Sequence, residues 1–294
     1  MTKTLVDGIS EWLNEGGYPL ELYVTKVLKE LGFFCSKSPF FSDAESEKPR
    51  EIDIVASKSA TNELKQTLFF RLVIECKKSV NAFVVLCDSS DEESMLERVV
   101  FGNLIANGRD DMFVAIPFFD AHKEEFSKIF PTPVLNTPCR RGYTLLQAHQ
   151  KNDSNIYAEV YKLAKAYYYE IKREVEFRDK VIREDKDSSS RDEWMNYFYA
   201  HMPLLVIDAP LVEVYLDTQG DIKIEEKQFS SVKLRLPWKL FEEEHDPDEG
   251  LSIAIVTKSI FPDFAKDCVI LAGEIATRQK AEGNLSFVAK RTKN

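Results

Sequence analysis

The amino-acid sequence predicts a mixed α/β domain with helices lying over a central sheet. Two features carry this. Two stretches repeat apolar residues at helical spacing, one near the start and one in the middle, and a further helix is expected near the end. Between them lie short β-branched or aromatic runs of strand length. The order helix, strands, helix, strands, helix is that of helices packed on a sheet. With 294 residues, 44% of them hydrophobic, and only 11 Gly and 12 Pro, the chain has material for a sizeable core. The same values exclude collagen-like and low-complexity chains.

The first helix is expected over Pro19 to Leu31, where Leu20, Val24, Val27, Leu28 and Leu31 recur at helical spacing. Pro19 suits its first turn and Gly32 its stop. Strands are expected over Phe33 to Phe41, Glu51 to Ala56 and Leu68 to Lys77, with polar Ser57 to Thr67 as the loop between the last two. Phe83 to Cys87 reads as a strand, Asp91 to Ile105 as a helix with acidic residues at its start, and Met112 to Phe119 as a strand. Pro131 to Pro138 holds three prolines and reads as a loop. The long helix is expected from Ser154 to Asp185, with Tyr157, Tyr161, Ala164, Tyr168, Ile171, Val175 and Ile182 near a 3,4 repeat. Asp185 to Glu193 reads as a link and Pro203 to Asp208 as an apolar strand. Val212 to Leu216 and Ile222 to Glu226 flank DTQGD as a hairpin. Val232 to Leu236, an acidic loop from Glu242 to Glu249, a strand over Leu251 to Val256, a helix from Pro262 to Ala281 and a frayed tail from Lys290 complete the chain.

Composition narrows the function. The net charge of −10 opposes nucleic acid and anionic membranes at long range unless basic groups cluster. No apolar run approaches the ~20 residues of a membrane span, and the acidic start lacks the pattern of a secretory signal. The five cysteines show no CxxC spacing and the four histidines no HxxxH pair, against a zinc site or a disulfide framework and in keeping with a cytoplasmic protein.

The informative segment is Arg50 to Lys78. In the strand Leu72 to Lys77 side chains alternate, so Leu72, Ile74 and Cys76 share one face, and Arg71, Val73, Glu75 and Lys77 the other. In EIDIVA, Ile52 and Ile54 face one way and Glu51 and Asp53 the other. Paired as a hairpin, the two strands bring Asp53 close to Glu75. Two such carboxylates repel, and a hard divalent cation relieves that repulsion. Such an ion lowers the pKa of a water and stabilises charge on a phosphate. A lysine two residues along the strand orients or deprotonates the water, or offsets phosphate charge.

The set Asp53, then Glu75-Cys76-Lys77, resembles the PD-(D/E)xK nuclease superfamily, with Glu21 on the upstream helix where several branches carry a further acidic residue. The residue before Asp53 is Ile52 rather than proline. The resemblance covers Pro19 to Val80. It implies a restriction-endonuclease-like mixed sheet flanked by helices over residues 1–210, with an insertion around 81–150, and a hairpin-and-helix extension over 211–294. It implies a Mg²⁺-dependent hydrolase, with Mn²⁺ as a substitute, most simply a DNA endonuclease. Asp53 and Glu75 would hold the ion with the Cys76 carbonyl, Glu21 would be an auxiliary ligand, and Asp53, Glu75 and Lys77 would be catalytic. The partners implied are DNA, and either a second copy of the chain or a protein supplying the DNA-binding surface. A catalytically inactive interaction module, or a subunit of a restriction or phage-defence complex, is the alternative.

Other groups are less specific. Lys48, Arg50, Arg71 and Lys78 read equally as phosphate contacts or solvated surface. Arg140, Arg141 and Gln147 read as an ordinary loop, and Tyr167, Tyr168 and Tyr169 as rings pointing in different directions round a helix.

Overall fold

The computed structural model describes residues 4–15, 17–43, 45–63, 65, 67–101, 128, 134–149, 154–184, 197–235 and 250–281. It is a mixed α/β structure. Twelve strands and four α-helices are described: α1 (Leu5–Glu15), α2 (Tyr18–Glu30), β1 (Phe34–Lys37), β2 (Phe40–Ser42), β3 (Pro49–Glu51), β4 (Ile54–Thr61), β5 (Thr67–Lys78), β6 (Phe83–Ser94), β7 (Pro138–Gln147), α3 (Ser154–Glu184), β8 (Tyr197–Asp208), β9 (Leu211–Leu216), β10 (Ile222–Lys227), β11 (Phe229–Leu234), β12 (Leu251–Thr257) and α4 (Phe261–Ala281). Ten strands form one sheet in the order β1-β4-β5-β8-β12-β11-β7-β6-β9-β10, and β2 and β3 form a separate ribbon. β5, β8 and β12 run parallel, while β1, β4 and β5 are antiparallel neighbours.

Two apolar layers sandwich the sheet. On one side α2 and α4 contribute Leu20, Val24, Leu28, Phe264 and Leu271 against Leu72, Ile74 and Leu204. On the other, α3 contributes Ile156, Val160, Leu163 and Tyr167 against Val73, Leu205 and Ile255. Both faces of β5 and β8 are therefore buried, which is why PLLVID is apolar at nearly every position. Among the described residues no helix is long and apolar enough to cross a membrane.

The expected helices at Pro19, Ser154 and Pro262 form within a residue or so of their expected starts, and β9 and β10 pair as the expected hairpin. Gly32 ends the turn after α2 at φ +78°, a conformation suited to glycine.

Several expectations are corrected. Phe33 to Phe41 is two strands, because the backbone turns at Ser38 (φ +49°) before Pro39. EIDIVA is broken at Ile52 and Asp53, so Ile52 and Ile54 fall in opposite core layers rather than on one face. Ser57 to Thr67 is mostly strand: β4 and β5 stay paired to Thr61 and Thr67, since a polar strand that extends past the core needs only its ladder. Asp91 to Ser94 ends β6, and a short π-helical turn, Leu96–Phe101, follows, while residues 102–105 of the expected helix lie outside the described residues. CRRGYTLLQA is strand β7, not loop. Helix α1 had no counterpart in the expectations.

Met112 to Phe119, Glu242 to Glu249 and the tail from Lys290 lie outside the described residues, as does the link over Asp185 to Glu193. Residues 81–150 supply β6 and β7 to the main sheet, and β11 and β12 lie between β7 and β8.

Away from the sheet, the ribbon is tied to α3 by an ion cluster. Buried Asp43 accepts hydrogen bonds from Lys165 Nζ at 3.0 Å to both oxygens and from Arg50 Nε at 3.0 Å. Burial would raise its pKa, but the Lys165 ammonium and the N–H groups of Glu45 and Ser46 hold it at about 2. A depressed carboxylate stabilises the fold above its unfolded pKa and stops doing so as pH falls through its folded value. Asp43→Ala is expected to cost about 1–2 kcal/mol at neutral pH. That difference from the parent chain should shrink between pH 4 and 2, as urea titrations across that range would record.

Candidate metal centre

The candidate site is built where β4, β5 and α3 meet. The β4–β5 register pairs Ile54 with Ile74, and continuing it one residue sets Asp53 opposite Glu75. Asp53 lies in the break between β3 and β4. Its carbonyl accepts a hydrogen bond from Ser38 N–H at 2.8 Å, and its Oδ2 accepts one from Cys76 N–H at 2.7 Å. The irregular backbone at 52–53 therefore aims Asp53 at β5, which a regular ladder position would not do.

Glu75 is 0% exposed. Its Oε1 accepts from Lys162 Nζ at 2.6 Å and forms an ion pair with Lys77 Nζ at 3.0 Å. Its Oε2 is buried with no hydrogen-bond partner among the described residues. Both lysines also meet Glu159 Oε2, Lys77 at 3.1 Å and Lys162 at 3.2 Å. Glu159 and Lys162 come from α3, three residues apart and so on one helix face.

The electrostatics follow from burial and crowding. Burial, then the Asp53 charge, push Glu75 up to about 7 in spite of the two lysines. Burial also raises Asp53, against the Cys76 N–H and the lysines. Half-buried Glu21 is raised by burial and then by the charges of Asp53 and Glu51, which puts it in the same field. Burial works to lower Lys77, but the Glu75 and Glu159 carboxylates hold it above the ordinary lysine range. Glu159 is lowered, because Lys77 and Lys162 outweigh its burial.

Asp53, Glu75 and Lys77 are thus gathered at one place, with Glu21 at its rim. Cys76 contributes its N–H to Asp53, while its side chain lies in the opposite core layer. Burial raises its thiol pKa well above the usual value, so the side chain is no thiolate ligand. The face of β5 that carries Glu75 and Lys77 is covered by α3. Sequence reasoning missed Glu159 and Lys162. Their signal was a charged pair three apart on the long helix, which reads as ordinary helix surface until the helix is known to cross Glu75.

Other expected phosphate contacts are engaged elsewhere. Arg71 pairs with Glu170 at 2.8 Å and Glu174 at 2.5 Å, and Arg50 with Asp43. In β7, where a loop was expected, buried Arg140 pairs with Glu213 and Glu225. Gln147 Nε2 donates to Ser79 Oγ.

The donor set fits a hard divalent ion. Four carboxylates, Glu21, Asp53, Glu75 and Glu159, share this region with two ammonium groups, and Glu75 and Glu21 both feel the Asp53 charge. Among the described residues, the acidic group whose ligand atoms all lie within 4.8 Å of one another is Glu92, Glu213 and Glu225, where Arg140 and Lys227 already lie; the carboxylates of Glu21, Asp53, Glu75 and Glu159 are spread more widely. An open groove lined by Tyr23, Ser79, Asp208 and Lys258 lies at the carboxyl ends of β5, β8 and β12, a usual ligand position on parallel strands.

No family model, curated protein or solved structure matches this chain.

The raised Glu75 pKa has a measurable consequence. A group whose folded pKa exceeds its unfolded value lends stability that is full below the unfolded value and lost as pH rises through the folded one. The metal-free chain is expected to lose a few kcal/mol, on the order of 3, from this group between pH 4.5 and 7. Glu75→Gln should lack that part of the slope. Melting temperatures of both chains in EDTA from pH 5 to 8 check it.

Proposed function

We propose that the chain is a metal-dependent phosphodiesterase, with DNA as the first substrate to test, on a restriction-endonuclease-like core. The observation that carries this reading is the buried Oε2 of Glu75, without a hydrogen-bond partner among the described residues, on a residue whose register position is opposite Asp53. Leaving such an oxygen unpaired is costly, and a bound cation removes the cost. Asp53 and Glu75 would hold the ion, with Glu21 as an outer ligand. When bound, the ion would supply an activated water and positive charge for the phosphate.

The chain's own residues divide the remaining work. Lys77, kept protonated by Glu75 and Glu159, serves as a cation that offsets phosphate charge rather than as a base. Lys162 holds Glu75 Oε1 and thereby orients the other oxygen. Glu159 spaces the two ammonium groups. Cys76 N–H fixes the Asp53 rotamer.

The test is cleavage of plasmid and linear DNA by the purified chain with Mg²⁺ or Mn²⁺, alongside melting with and without Mn²⁺. Cleavage and an upward melting shift are expected, both lost in Asp53→Ala with circular dichroism unchanged. Full cleavage by Asp53→Ala would overturn the reading. The competing reading is an inactive interaction module of the same fold. It is favoured by Lys162 and Lys77, which already neutralise Glu75 Oε1. It requires neither a Mn²⁺ shift nor cleavage.

A further inference from the structure

β10 ends the ten-stranded sheet, with β9 as its one neighbour among the described strands. It is a regular six-residue strand without proline. Its side chains leave a large apolar patch in water: Ile222 is 69% exposed, Ile224 67%, and Leu216, paired with Ile222, 59%. An edge with free backbone groups and exposed isoleucines is a template for a further strand.

The direction of the free groups follows from the turn. Asp217 N–H donates to Asp221 O at 2.9 Å, so residues 217 and 221 form a hydrogen-bonded pair. Alternation along an antiparallel ladder then turns the main-chain groups of Lys223, Glu225 and Lys227 toward β9. Those of Ile222, Ile224 and Glu226 point outward. A strand added antiparallel must place outward residues opposite outward residues.

For two copies of β10 related by a two-fold axis, this rule leaves few registers. Centring the axis on Ile224 sets Ile224 against its own copy, Lys223 against Glu225, and Asp221 against Lys227, each charge pair occurring twice. Moving the axis one residue either way sets Lys223 against Lys223, or Glu225 against Glu225. In this register Ile224 meets its own copy and Ile222 faces Glu226; the exposed isoleucines of both copies share one side of the sheet in all three registers, so the charge pairs choose among them. Glu225 is already held in place by Arg140 Nη1 at 2.8 Å and Tyr215 Oη at 2.5 Å, so its carboxylate is preorganised beside the position of the incoming Lys223.

We infer that β10 pairs with β10 of a second copy of this chain, about a two-fold axis at Ile224, making one continuous sheet. Such an interface is isologous, as closed dimers require. The inference is independent of the hydrolytic reading.

Sedimentation velocity of the full chain over micromolar concentrations tests it. A concentration-dependent dimer is expected. Ile224→Pro removes an N–H that points away from β9, so it should give a monomer with the melting point of the dissociated parent chain. Lys223→Glu faces Glu225 of the other copy and should weaken the dimer at least about tenfold. Should Ile224→Pro fail to fold, Lys223→Glu decides against Lys223→Gln as its control, since Lys223 also pairs with Asp217 of its own hairpin at 3.0 Å and both variants lose that pair. A monomer at every concentration, or a dimer indifferent to Lys223→Glu, overturns the inference.

Discussion

Lys77→Ala is expected to lower metal-dependent DNA cleavage by about a thousandfold while leaving Mn²⁺ binding in place. Its ammonium pairs with Glu75 at 3.0 Å and Glu159 at 3.1 Å, and it is charged at neutral pH. In the proposed role it acts on the phosphate and not on the ion, so its loss should appear in kcat with the Mn²⁺-induced melting shift retained. Glu75→Ala differs, because it removes a ligand and should abolish both. Lys162→Ala should fall between them: Glu75 loses its 2.6 Å partner, so ion affinity changes along with turnover. Single-turnover cleavage over a Mn²⁺ titration separates the three. Equal losses in all three variants, with no change in metal dependence, would mean that the cluster is only structural.

Gly142→Ala is expected to destabilise the chain more than any surface change, by about 2–4 kcal/mol or to the point of failed folding. Gly142 lies in β7 between β6 and β11, opposite Cys87 on one side and Val232 on the other. A Cβ there would lie 2.6 Å from the Ser231 carbonyl oxygen and collide with Val85 Cγ1. The valine can rotate, but the carbonyl belongs to the ladder and cannot. Gly273→Ala is the control: its position in α4 faces open space, so alanine should stabilise the helix by about 0.5–1 kcal/mol. Urea denaturation of the two variants reads both effects.

Much of the candidate site was legible because strand alternation is strictly local. Side chains at 72, 74 and 76 turn one way and those at 73, 75 and 77 the other, and the two core layers take Leu72, Ile74 and Cys76 on one side and Val73 on the other. The same rule failed at Ile52. It assumes an unbroken strand, whereas the backbone there bonds to Pro39 and Ser38 instead of continuing the β4 ladder. Polar Ser57 to Thr61 was misread because hydrophobicity reports burial, and a ladder can extend beyond the buried region.

The sequence by itself determined the helix and hairpin signals, the acid-acid-lysine set, and the face on which Glu75 emerges, since each depends on residues a few positions apart. Only the tertiary structure decided that α3 lies over Glu75, contributing Lys162 and Glu159 from some 85 residues away. It alone decided that Glu75 is dry enough to be pushed up to about 7. The physical reason is that burial and charge coupling are properties of the space around a side chain, and that space is filled by elements whose pairing no local pattern encodes.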